Sequence, residues 1–95
     1  MEFEIFEWDT DKSHSNIEKH GIDFADATTV FERPHFIKPS EHQSEHRWLA
    51  IGEMAGHVIC VVYTLRGQTC RIISARRARK GEAHEYRAQI ERRNS

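Results

Sequence analysis

The stretch that most restricts the fold is HVICVVYTL, residues 57–65. It is apolar at nearly every position and rich in β-branched residues, as a strand buried on both faces must be. Short turn sequences bound it, MAG on one side and RGQ on the other. RWLAIGEM precedes the first turn and TCRIISAR follows the second. Three consecutive strands joined by tight turns form an antiparallel meander. Such a sheet needs helices on an apolar face and can leave its other face open to a ligand.

The remaining segments supply those helices. EFEIFEW alternates and reads as a first strand, with Phe3 and Ile5 on one side and Phe6 and Trp8 on the other. Asp9, Thr10 and Asp11 suit a helix start, and Gly21 a left-handed stop after His20. The apolar content of that helix is thin, with Ile17 as its anchor. Asp23 caps a second helix in which Phe24, Ala27 and Phe31 share a face, with Val30 beside them. HFIK, bracketed by Pro34 and Pro39, is a short extended piece. From about Ala78 the pattern turns helical, with Ala83, Tyr86 and Ile90 in line. The expected order is β-α-α-(β)-β-β-β-α. The class is α+β: a small antiparallel sheet with helices on one face, in one domain spanning 1–95.

Composition narrows the function. A chain of this length hides about 60–65% of its unfolded surface, enough for one modest core and no large internal pocket. Function therefore belongs on the surface. Cys60 and Cys70 are too few for a disulfide framework and read as packing residues. No apolar run reaches about 18 residues, and the acidic N-terminus lacks the basic start of a signal peptide. A cytoplasmic location follows as the expectation, with no membrane partner. HQSEH, residues 42–46, matches an H-x-x-E-H zinc pattern, but its polar, loop-like surroundings favour a hydrated loop. No metal or other cofactor is expected.

The net charge of -1 conceals a split. The first half of the chain is acidic and the second basic, and the basic residues crowd into RIISARRARK, residues 71–80. One explanation is mutual neutralisation across the fold, with helix-start residues paired to Glu82 and Glu85. The other is an anionic partner, which four arginines with planar donor forks suit better than lysines would. Strand alternation puts Arg71, Ile73 and Ala75 on one side and Cys70, Ile72, Ser74 and Arg76 on the other. Arg66 lies at the far end of the hairpin, roughly 30 Å from Arg76 on a straight strand. The two clusters thus flank a nucleic-acid strand more readily than they grip a single phosphate.

Several blocks together carry a family resemblance: FEWD at 6–9, KHGI at 19–22, VVYT at 61–64, RIISARRA at 71–78, then Glu82, Glu85 and Tyr86. The chain resembles BrnT-type toxins of bacterial type II toxin–antitoxin pairs over nearly its whole length. The resemblance implies a RelE-like fold and a ribonuclease that arrests growth. It also implies a cognate antitoxin that silences the toxin and supplies the part that binds operator DNA.

Chemistry then suggests roles. RNA carries its own nucleophile, the 2′-hydroxyl, so cleavage needs proton transfer and phosphate stabilisation but no metal. His20 is the acid–base candidate because imidazole titrates nearest neutrality. Lys19 stands beside it, though both residues also complement the helix dipole. Arg76, then Arg77, are the phosphate stabilisers. Arg66, Arg71, Arg79 and Lys80 guide RNA. Tyr63 and Tyr86 are aromatic candidates for stacking or proton donation, with Tyr86 better placed as a packing residue. The competing classes are a nucleic-acid-binding module without catalysis and a pure protein-interaction module.

Overall fold

In the computed structural model, residues 3, 5–40 and 46–94 are described. The zinc-like HQSEH segment therefore lies almost entirely outside the described residues. The element order is β1 (Phe6–Glu7), α1 (Thr10–His20), α2 (Phe24–Ala27), a 3-10 turn (Thr28–Glu32), β2 (His35–Pro39), β3 (Trp48–Met54), β4 (His57–Arg66), β5 (Thr69–Arg77) and α3 (Lys80–Asn94). The α+β class and the order of elements agree with the sequence.

The strands form one sheet ordered β1-β5-β4-β3-β2. Strands β2 to β5 are antiparallel neighbours, and β4 is the long central strand that its apolar run demanded. Two details differ from the expectation. β1 pairs with β5 in parallel, so the sheet is mixed. Helices also cover both faces rather than one.

On the first face, Phe24, Ala27, Val30 and Phe31 pack on Ala50, Ile59, Val61, Tyr63, Cys70, Ile72 and Ala75. Phe31 meets Tyr63 edge-on at 5.3 Å and Phe3 at 5.4 Å. Burying one such large side chain contributes about 1.5–3 kcal/mol. The 3-10 turn sits very close to β3. A Cβ added at Gly52 would lie 2.9 Å from Val30 Cγ1 and 3.0 Å from His35 Cβ, so only glycine fits there. On the second face a smaller cluster of Phe36, Ile51 and Cys60 lies under Tyr86 and Ile90 of α3.

Helix α1 is held by polar side chains rather than by Ile17, which is 41% exposed. Its buried residues are Ser13 and Asn16. Ser13 Oγ accepts from the backbone N of Phe24. The Asn16 amide donates to the carbonyls of Ile22 and Ala75, 2.8 Å each, and its oxygen accepts from the Ala75 N–H at 3.2 Å. Asp9 caps the start of the helix, and Gly21, at φ 71°, ends it. At the N-terminus Phe3, Phe6 and Trp8 all join the first core while Ile5 is 59% exposed, because only two residues are in strand and strict alternation fails.

Candidate functional site

Helix α3 covers only one end of the second sheet face. The row Phe36, Ile51, Cys60 and Arg76, adjacent across β2 to β5, marks the boundary. The next row, Lys38, Leu49, Val62 and Ser74, floors an open cleft of about 650 Å³. Its walls are Arg47, Arg76 and Arg79, with Glu82 on the inner side and Pro39 and Ser40 at the rim.

A β-bulge builds this arrangement. Val62 pairs with Ser74 but Tyr63 pairs with Ile72, so Ile73 is an extra residue in β5. The extra residue flips the alternation. Cys70, Ile72 and Ala75 all enter the first core. Arg71, Ser74 and Arg76 consequently share the second face, which corrects the sequence assignment of Arg71 and Ala75 to one side.

Arg76 and Glu82 form the best-defined contact of the cleft. Arg76 Nη1 and Nη2 donate to Glu82 Oε1 and Oε2 at 2.8 and 3.0 Å. Nη1 also donates to the Arg77 carbonyl at 3.2 Å. Glu82 Oε1 additionally accepts from the backbone N of Arg79 at 2.8 Å, capping α3 from its first turn. The hydrogen bond from Arg76 is the main cause holding the Glu82 carboxyl below the usual carboxylate range. The same bond holds the Arg76 guanidinium above its ordinary value. Both groups are therefore charged at neutral pH, and Glu82 is a poor proton acceptor.

The other candidates are dispersed. Arg79 lines the cleft; Lys80 is exposed at the start of α3. Arg77 pairs with Ile59, a first-core residue, and so leaves β5 on the opposite side from Arg76. Arg71 and Arg66 converge on Glu7 Oε1, at 3.5 and 3.8 Å, at the far end of β5. That oxygen is buried yet accepts no hydrogen bond among the described residues, so the contacts are ionic only.

Lys19 and His20 occupy the last turn of α1, exposed and outside the cleft lining. α1 runs in the same direction as β5, since Glu7 pairs at Arg71 and Asn16 meets Ala75. His20 lies one turn past Asn16, about 6 Å along the axis. Arg77 lies a similar 6–7 Å past Ala75 on the strand. Both residues therefore lie beyond the Asn16–Ala75 contact, toward the C-terminal ends of their elements.

The aromatic and sulfur candidates are packing groups. Tyr63 is 2% exposed, and burial pushes its phenol up to about 12. Tyr86, on α3, is buried against Phe36, Ile51 and Cys60 of the sheet. Burial likewise raises the thiols of Cys60 and Cys70 to about 11 and 12. Among the described residues, no group of three or more His, Cys, Asp or Glu side chains is placed to hold a metal. No described helix is long and apolar enough to cross a membrane.

Sequence reasoning had not placed Lys38, Arg47, Ser74 or Glu82 in a site. Glu82 had a readable signal, since it stands three residues after Arg79, the spacing at which a side chain reaches back to a helix start. Lys38 and Arg47 had none, because only strand pairing brings them to β5.

No curated protein matches the chain. A family model described as "Ribonuclease toxin, BrnT, of type II toxin-antitoxin system" matches residues 8–82. That span runs from the start of α1 through the whole β2–β5 meander to Glu82. The match covers well over half of the chain, which therefore belongs to the BrnT family of ribonuclease toxins of type II toxin–antitoxin systems.

Proposed function

We propose that this chain is a metal-independent RNA endonuclease whose phosphate site is the basic cleft on the open half of the sheet. The 2′-hydroxyl attacks the adjacent phosphorus in line, the 5′-oxygen leaves, and a cyclic phosphate remains. The observation that carries this reading is the convergence of Lys38, Arg47, Arg76 and Arg79 on one cleft. Donors fixed before reaction on a phosphate that gathers charge are worth most in such a setting.

Arg76 stabilises the phosphate, and Arg77 follows the RNA over the end of β5. Arg79 and Lys80 guide the strand at one end of the face and Arg66 and Arg71 at the other. His20, with Lys19 beside it, is the proton-transfer group of this proposal. An RNA strand held in the cleft at Arg76 must then continue past the end of β5 to reach His20, which lies outside the cleft lining.

Digestion of RNA by the purified chain in EDTA tests the reading. Cleavage is expected to persist. Arg76→Ala is expected to lower kcat by about 10²–10³-fold and His20→Ala by about 10²-fold or more. Loss of cleavage on chelation overturns metal independence. Unchanged cleavage in both variants overturns the site, and unchanged cleavage in His20→Ala alone moves proton transfer to the cleft.

The proposed partner is a cognate antitoxin that silences the toxin and carries the operator-DNA contacts, and the proposed compartment is the cytoplasm. Expression of the chain alone is expected to arrest growth, and coexpression of the neighbouring gene to relieve it. Salt-sensitive RNA binding without cleavage would instead identify a binding module.

A further inference from the structure

Arg76 has five N–H donors on a rigid plane, arranged along three edges. The edge between Nη1 and Nη2 is filled by both oxygens of Glu82. The remaining Nη1 hydrogen goes to the Arg77 carbonyl. The third edge, formed by Nε–H and the second Nη2 hydrogen, has no partner among the described residues, and the residue lines the cleft. That edge is the two-donor fork that binds a phosphate through two oxygens.

We infer that Glu82 is a positioning residue: it clamps the guanidinium plane of Arg76 so that the Nε–Nη2 edge is presented to a substrate phosphate. This rests on the ribonuclease reading of the cleft and adds the group that aims its principal cation. The clamp is itself well fixed. The Glu82 side chain is 9% exposed, and Oε1 also accepts the N–H of Arg79, so the first turn of α3 sets its orientation. Glu82 cannot serve as the base as well, because both oxygens are committed to donors.

Glu82→Gln separates aiming from folding. The amide oxygen of glutamine can replace Oε1 and keep the bonds from Arg79 N and Arg76 Nη1. Its NH2 group then confronts Arg76 Nη2, donor against donor, and the second leg of the clamp is lost. The expected result is a near-unchanged melting temperature, a kcat lower by about 100-fold, as misplacing a catalytic group costs, and little change in KM. In an Arg76→Lys background, where no fork exists, Glu82→Gln is expected to add little further loss.

A spectroscopic readout stands apart from catalysis. The Arg76 Nε–H resonance, assigned by its loss in Arg76→Lys, is expected to shift when inorganic phosphate is added to the wild-type chain. The shift is expected to shrink in Glu82→Gln. Unchanged kcat in folded Glu82→Gln, full additivity with Arg76→Lys, or an unresponsive Arg76 Nε–H overturns the inference. Failure of the wild-type chain to cleave any RNA overturns the ribonuclease reading instead, while the phosphate-induced shift still decides the clamp.

Discussion

Two carboxylates meet arginines on the same face of the sheet, and the contrast between them separates aiming a charge from screening one. At one end Glu82 is buried and grips a single guanidinium with both oxygens, at 2.8 and 3.0 Å. At the other end partly exposed Glu7 lies 3.5 and 3.8 Å from Arg71 and Arg66, with no hydrogen bond to its buried oxygen among the described residues. Two short parallel bonds fix a plane and therefore a direction. Two long ionic contacts fix neither and only lower the local potential. Under the proposed function, the tight end would serve chemistry on one phosphate and the loose end would hold a backbone that slides past.

The largest consequence of this contrast lies in turnover. Arg76→Ala is expected to cut kcat by about 10²–10³-fold. Arg71→Ala should leave kcat within severalfold and act mainly on KM, with a weaker salt dependence of RNA binding. Equal losses of kcat at the two positions would erase the distinction. Stability comes next. Glu82→Ala removes the clamp and the cap of α3, at a cost of about 2–3 kcal/mol by urea denaturation. Glu7→Ala breaks partly exposed pairs and should cost less than about 1 kcal/mol.

Acid titration sharpens the same point. The carboxyl of Glu82 titrates lower in the folded chain than in the unfolded one. Its contribution is therefore complete above the unfolded value of about 4.3 and is lost as pH falls through the folded value. The stability advantage of wild type over Glu82→Ala should shrink in that acidic window and stay flat from pH 5 to 8. The smallest effect belongs to Glu7→Gln. It frees two arginines without moving them, so the salt slope for single-stranded RNA should steepen by about 0.7 per added phosphate contact. An unchanged slope would mean that Arg66 and Arg71 never reach the backbone.

Much of the framework was legible because periodicity reports burial. HVICVVYTL could only be a central strand, and the Phe24, Ala27 and Phe31 face could only be core. Local pattern failed where a single residue changes the phase or where polar groups replace apolar ones. Ile73 inserts one residue into β5, and nothing in RIISARRA distinguishes a bulge from plain alternation. Ile17 looked like the anchor of α1, yet Asn16 holds the helix through backbone groups that no hydropathy pattern registers. Both faces carry helices because Tyr86 and Ile90 found Phe36, Ile51 and Cys60, a second apolar patch masked in sequence by the first. The site was half legible. Arg76 announced itself by the basic run, whereas Lys38 and Arg47 join it only through the pairing of β2, β3 and β4.

Asn16 has a consequence beyond tethering its helix. β1 shields β5 only at Cys70 and Arg71, which leaves the outward peptide groups further along the strand as a template for any foreign β-segment. The carboxamide of Asn16 takes both groups of Ala75 and behaves as a strand one residue long. Neither backbone group of Ala75, one position from Arg76, is therefore left to pair with an intruding strand.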